Sequence, residues 1–156
     1  MTDSTSAPFG RRSARAILID ESGRILLIKR TKPGQAPYWT TPGGGVEEVD
    51  LTIEAALHRE LTEELGAKAF GATEVFLHSS PTEAGPSVQH FFLARLAGLD
   101  AEARNGPELN DPSRGEYVLD RVDLDGLEDV DLKPSALKRF IMANRDALLA
   151  EVARLA

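Results

Sequence analysis

Glu60, Glu63 and Glu64 stand within five residues of one another, in a segment made of strong helix formers. On a helix of about 3.6 residues per turn, Glu60 and Glu64 lie one turn apart and Glu63 sits beside them, so three carboxylates share one sector. Like charges at this spacing destabilise a helix by about 0.2–0.5 kcal/mol per pair, and no lysine within the helix stands four residues from Glu60 or Glu64. Arg59 reaches Glu63 at i+4, which would orient one carboxylate and leave Glu60 and Glu64 for a cation. A lone E-x-x-E-E reads as a solvated acidic face. Here Pro42-Gly43-Gly44-Gly45 precedes it. Glycines allow close approach of a ligand and offer carbonyls to metal and N–H groups to phosphate, so loop and helix together read as a phosphate–metal site.

The elements that position this site follow from the pattern around it. Thr52 is placed to cap a helix running to Leu65, with Leu57, Leu61 and Leu65 as its buried stripe and Gly66 as its left-handed stop. Arg15–Asp20 and Arg24–Lys29 read as a hairpin across Glu-Ser-Gly, followed by a Pro- and Gly-rich loop from Arg30 to Tyr38. Two strands are expected at Ala72–His78 and Val88–Leu96, joined by the turn-rich Ser79–Ser87, and another starts at Tyr117. Ala103–Gly115 reads as a loop, and apolar spacing predicts one helix over Pro134–Leu155. Interleaved strands and helices imply an α/β fold, a mixed sheet between helices in an α/β/α sandwich. At 156 residues this is one domain, 11–156, after a polar tail at 1–10.

Composition limits the ligand. There is no cysteine, which excludes disulfides and thiol chemistry and leaves carboxylate, carbonyl or imidazole to hold a metal, a donor set suited to Mg²⁺ or Mn²⁺. A net charge of -7 argues against nucleic-acid binding, while a small phosphorylated ligand can still bind through metal. No run spans a membrane and the first ten residues do not resemble a signal peptide, so a cytoplasmic location is expected.

Gly44-Gly45-Val46-Glu47, followed by Arg59-Glu60-Leu61-Thr62-Glu63-Glu64-Leu65-Gly66-Ala67, resembles the Nudix box, G-x5-E-x7-R-E-U-x-E-E-x-G-U with U bulky aliphatic. Ala67 is smaller than the pattern asks. Counted from Gly44, Asp50 stands at the first Glu, but eight residues separate it from Arg59, so one residue is inserted. Counted back from Arg59, Leu51 stands there, and the first acid is either Asp50 or missing; it is left out of the metal set. The resemblance implies a Nudix fold and a pyrophosphohydrolase acting on a nucleoside diphosphate linked to a group X, such as a nucleotide sugar, ADP-ribose or a nucleoside triphosphate. It further implies that Glu60 and Glu64 hold Mg²⁺ or Mn²⁺ with the Gly44 carbonyl, that Glu63 is a further ligand or supports them, and that Arg59 belongs to the catalytic set. A base on a later loop is also implied, with Glu116 the first candidate and Glu108 the second.

Arg30, Trp39, Gly44 and Gly45 are the expected substrate-binding residues. Arg30 could fork onto phosphate or make a surface ion pair, and Trp39 could stack on a nucleobase or pack in the core. His90 in an apolar strand reads as a satisfied core histidine. Pro81 stands near where ADP-ribose-cleaving relatives carry a proline. Two other readings compete. An isoprenoid diphosphate isomerase would need a proton-donating cysteine, and a silent nucleotide-binding module would typically have lost box glutamates. The sequence leaves a homodimer open.

Overall fold

Aliphatic residues in RRSARAILI and RILLIKRT build two strands, β1 (Arg11–Ile19) and β2 (Arg24–Thr31), in a computed structural model that describes residues 11–100 and 116–155, Glu116 by its backbone alone. The turn between them is organised by Asp20, whose carboxylate accepts from the Ser22 and Arg24 N–H groups at 2.9 Å each and from Arg121 at 2.9 Å. Gly23, at φ 80°, supplies the left-handed residue the turn requires.

β1 and β2 are antiparallel partners at Ile19 and Ile25. Farther from the turn, β3 (Tyr38–Thr40) pairs with β2 and β4 (Gly43–Gly45) pairs with β1, so the glycine segment becomes part of the sheet. Helix α1 (Ile53–Leu65) follows, then the long antiparallel pair β5 (Ala67–Thr82) and β6 (Gly85–Leu99). β6 lies parallel to β1, and β7 (Glu116–Asp123) antiparallel to β2, which makes the sheet mixed. A short 3-10 turn at Leu124–Asp129 leads to α2 (Ser135–Ala143) and α3 (Arg145–Arg154).

Strand side chains alternate between two faces, and both faces are covered. Ala14, Ala16, Leu18, Leu26, Ile28, Phe92 and Ala94 pack with Leu57, Leu61 and Leu65 of α1. Ile17, Ile19, Ile25, Leu27, Phe91 and Leu93 pack with Leu137 and Ile141 of α2 and Leu148 and Val152 of α3. This is the expected α/β/α sandwich. No helix among the described residues is long and apolar enough to cross a membrane.

Three expectations need correction. The Ser79–Ser87 segment is mostly strand, with Thr82 facing Gly85 across a two-residue turn. Its prolines suggested a loop, but β5 is an edge strand, where a missing N–H is tolerated. The C-terminal helix is two helices, broken at Asn144, whose side chain joins its own backbone N–H in donating to the Phe140 carbonyl, at 2.9 Å and 3.1 Å. Arg30 and Thr31 belong to β2 and Tyr38 to β3, so the intervening loop is shorter than expected. The expected tail at 1–10, the loop Ala103–Gly115 and Glu108 lie outside the described residues.

Candidate active site

Helix α1 begins where the Thr52 hydroxyl accepts the Ala55 N–H at 2.9 Å and ends at Gly66, φ 63°. With its leucines against the sheet, Glu60 and Glu64 meet β4. Glu64 is buried, and its Oε1 accepts the Gly43 N–H at 2.9 Å. Glu60 lies against Gly44 so closely that a Cβ there would be 2.2 Å from Oε2. Gly43 serves a different need: its φ is 144°, and a Cβ would sit 2.2 Å from the Ala14 carbonyl oxygen. One glycine admits a carboxylate and the other admits a neighbouring strand.

Arg59 corrects the expected pairing. Its guanidinium grips Asp50 in a two-point fork, Nε to Oδ1 at 2.9 Å and Nη2 to Oδ2 at 2.8 Å, and Nη2 also donates to the Gly45 carbonyl at 2.9 Å. Nη1 donates to Glu60 at 2.8 Å and stands 3.4 Å from Glu63, so Glu60 is engaged and the i+4 contact is the lesser one. A planar fork on a single carboxylate outcompetes a solvent-facing i+4 pair. These bonds from Arg59, aided by the Glu47 N–H, hold the Asp50 carboxyl down to about 2. Asp50 keeps contact with Arg59, while Leu51 is extruded to 95% exposure.

Glu60 responds in the opposite sense. Burial pushes its carboxyl above the usual range, Arg59 opposes this, and Glu63 and Glu47 add to it. Lining a cleft of about 380 Å³ with it are Arg11 and Arg15 of β1, Arg30 of β2 and Tyr117 of β7. Arg30 lies 5.0 Å from the Tyr117 ring centroid, and its buried Nε has no hydrogen-bond partner among the described residues. Arg15 donates to the Thr41 carbonyl at 2.9 Å; burial pulls its pKa down, and the charges of Glu64 and Glu60 pull it back up.

Glu60, Glu63, Glu64, Gly44, Gly45 and Arg30 are therefore brought to one cleft, with Arg59 behind Glu60. Trp39 is not among the residues lining it. Its Nε1 donates to Asp120 at 3.0 Å and its ring packs beside the core beneath α2 and α3. His90 is buried between Arg12, 2.8 Å from Nε2, and Glu74, 3.0 Å from Nδ1; because arginine can only donate, Nε2 accepts and Nδ1 carries the proton toward Glu74. Pro81 pairs with Pro86 near the end of the β5–β6 hairpin. The Glu116 backbone pairs with Thr31, one residue from the cleft-lining Tyr117. Arg11, Arg15 and Tyr117 were not anticipated. The available signal was Arg15 itself, a charge next to an aliphatic run and two residues before the buried Ile17 on the same face of β1.

The donor set suits a hard cation. Among the described residues no three Asp, Glu or His side chains close on one point. Mg²⁺ does not require that, since it usually keeps waters and binds through one or two carboxylates plus substrate phosphates. Glu60 and Glu64, meeting adjacent glycines of β4, supply two, and Glu63 lines the same cleft.

The NUDIX domain family model matches residues 10–140. An RNA pyrophosphohydrolase of Gluconacetobacter diazotrophicus is 31% identical over 165 aligned positions, covering 94% of this chain and 90% of that one. The solution structure of the E. coli ORF135 protein superposes with a TM-score of 0.66 at 26% identity, over 94% of this chain and 97% of that one. The NUDIX domain of Shewanella oneidensis NrtR, solved with ADP ribose, shares the fold with a TM-score of 0.67 at 16% identity over 94% of each chain. With an acidic helix set against a glycine strand on an α/β/α sandwich, and a family match over most of its length, the chain belongs to the Nudix family and is a hydrolase acting on pyrophosphate bonds.

Proposed function

We propose that this enzyme hydrolyses the phosphoanhydride of a nucleoside diphosphate linked to a second group, or of a nucleoside triphosphate, with Mg²⁺ or Mn²⁺ as cofactor. The observation that carries the reading is the two-signed cleft, which Glu60 and Glu64 line together with Arg11, Arg15 and Arg30. A phosphate chain alone would be drawn to the arginines and repelled by the glutamates. A phosphate chain that shares a cation with the glutamates uses both sets of charges.

Glu60, Glu64 and the Gly44 carbonyl would hold the ion, with Glu63 as a further ligand or a support. When bound, it neutralises phosphate charge and acidifies water for in-line attack. Arg30, which lines the cleft with its guanidinium beside the Tyr117 ring, is suited to a phosphate oxygen. Arg59 keeps Glu60 oriented through Nη1 while Asp50 and the Gly45 carbonyl fix the rest of its fork. Glu116 is the proposed base, with Glu108 the alternative; Trp39, bonded to Asp120 and absent from the cleft lining, is given no part in substrate binding. A cytoplasmic setting, a small-molecule nucleotide partner rather than nucleic acid, and an open choice between monomer and homodimer complete the reading.

The test is a screen of nucleoside triphosphates, dinucleotides and nucleotide sugars with Mg²⁺ and Mn²⁺, products being separated by chromatography. Release of a nucleoside monophosphate or phosphorylated X is expected for at least one class. Cleavage confined to inorganic polyphosphates would reject the nucleoside part of the proposal.

A further inference from the structure

A second cavity, of about 330 Å³, adjoins the cleft across Arg15 and Thr40, which line both. The rest of its lining comes from His78, Ser80 and Gln89 on the β5–β6 hairpin and from Lys133 and Pro134 at the entrance to α2. The Lys133 N–H donates to the Trp39 carbonyl at 2.9 Å, which fixes the approach to α2 beside Thr40 on β3. The volume lies in the roughly 300–1,000 Å³ range of small-ligand sites, but the chemistry of the lining differs from theirs. Such sites are mostly apolar and aromatic, whereas Pro134 is the one apolar residue here.

The two cavities differ in sign. The cleft sets its arginines among Glu47, Glu60, Glu63 and Glu64, so an anion enters it in company with a cation. The second cavity is lined by Arg15 and Lys133 and by no carboxylate, so an anionic group can bind there directly. Arg15 offers a planar fork of N–H donors, of which Nη1 is engaged with the Thr41 carbonyl, and its charge is shared with Glu64 and Glu60. Lys133 is the cation that belongs to the second cavity alone. Its ammonium stands 3.4 Å from Asp131, but both side chains are more than half exposed, and such a pair is worth little against the charge of a ligand. The hydroxyls of Thr40 and Ser80 and the imidazole of His78 add donors for further oxygens. A nucleobase would find no aromatic face to stack on and would leave Lys133 unmatched.

We propose that the second cavity is an anion subsite: it holds a phosphate or carboxylate that the substrate carries apart from the scissile anhydride, with Lys133 as the specificity-determining residue and Arg15 between the two groups. The inference rests on the hydrolytic reading above and narrows its substrates to those that bear a further anionic group. The anhydride in the cleft shares its charge with a metal ion, whereas the second anion is met by side chains only. Lys133 acts as a point charge on a flexible stem, so it selects for charge rather than for one planar geometry.

The test compares UDP-glucuronate with UDP-glucose, which differ by one carboxylate, and NADPH with NADH, which differ by one phosphate, in the parent protein and in the Lys133→Gln and Lys133→Arg variants. In the parent, kcat/KM for the more anionic member of at least one pair should exceed that of its counterpart about tenfold or more, chiefly through KM. Lys133→Gln should bring that pair to within about twofold while leaving kcat for the less anionic member unchanged, and Lys133→Arg, which keeps the charge, should retain the preference. Calorimetric binding of the same pairs in Ca²⁺ gives a readout independent of turnover, and inorganic phosphate titrated in EDTA probes a free anion. Turnover without preference for the anionic member, or a preference that survives Lys133→Gln, would overturn the subsite and leave anhydride hydrolysis standing. A Lys133-dependent preference in binding, with no nucleotide turned over, would instead reject the hydrolytic reading and support the subsite. Lys133-dependent binding of phosphate alone, with neither pair discriminated, would make this a site for a free anion and overturn the proposal. No charge preference in either assay overturns it as well.

Discussion

Glu64 and Asp50 show how one functional group takes opposite duties according to what it touches. Glu64 is buried against the Gly43 N–H and lies near Arg15 rather than in bulk water. Glu64→Gln keeps an oxygen for that N–H, so the melting temperature should stay close to the parent's, while turnover falls by about two orders of magnitude or more through loss of an anionic ligand. Parent-like turnover would return the glutamate sector to an ordinary surface role. Asp50 is expected to act through Arg59. With Asp50→Ala the fork is released, Glu60 loses a fixed neighbour, and activity should drop roughly 10–100-fold with a weakened apparent affinity for the metal. Substitution by Glu, which can regrip the guanidinium, should recover part of the loss. Metal titrations of both variants separate this positioning role from a purely structural one.

At the scale of elements, adjacent glycines in β4 should respond differently to the same methyl group. Gly43→Ala places a Cβ against the Ala14 carbonyl at a φ of 144°, and should destabilise the fold by about 1–3 kcal/mol in urea denaturation. Gly44→Ala meets the far end of the Glu60 side chain, which can swing away. Its stability should change little while its activity falls, because Glu60 no longer reaches the strand. The β1–β2 turn depends on Asp20 in a similar way. Burial raises its pKa, but the Arg24 N–H, Arg121 and the Ser22 N–H outweigh that and hold it below the ordinary 3.8. A depressed folded pKa means its contribution is complete above about 3.8 and is lost as pH falls through the lower folded value. Asp20→Ala should therefore cost about 1–3 kcal/mol at pH 7, and the gap between variant and parent should narrow in acid. A gap independent of pH would contradict the assigned ionisation.

For the whole molecule, two apolar cores enclose the sheet and neither includes a glutamate of the cleft. Folding and metal loading should therefore separate. EDTA is expected to abolish turnover and leave far-UV circular dichroism and the urea midpoint near their starting values, with Mg²⁺ restoring activity. Full activity in metal-free buffer would sink the proposed chemistry, and unfolding in EDTA would assign the ion a structural role. The hairpin β5–β6 and the entrance to α2 line a second cavity beside the cleft, away from the helix that carries the glutamates.

Local signals made much of this legible. The α1 helix with its Thr52 and Gly66 ends, the leucine stripe, the glutamate sector and the β1–β2 hairpin are properties of short windows, where residue spacing and backbone geometry decide the outcome. The sandwich followed because both strand patterns and helices needed covering. Windows misled where long-range contact outweighed composition. Pro81 and Pro86 sit in strands because β5 and β6 pair with each other, and Asn144 divides a continuous apolar pattern without removing either half from the core. The arginine lining was hidden for the same reason: Arg11 and Arg15, Arg30, and Tyr117 lie on three strands, and only the pairing of β1 and β2 with β4 and β7 makes them neighbours. Likewise, spacing alone left Asp50 and Leu51 as rivals for one position. In the fold the carboxylate goes to Arg59 and the leucine to solvent, since a guanidinium fork can be satisfied across a fold that residue counting does not see.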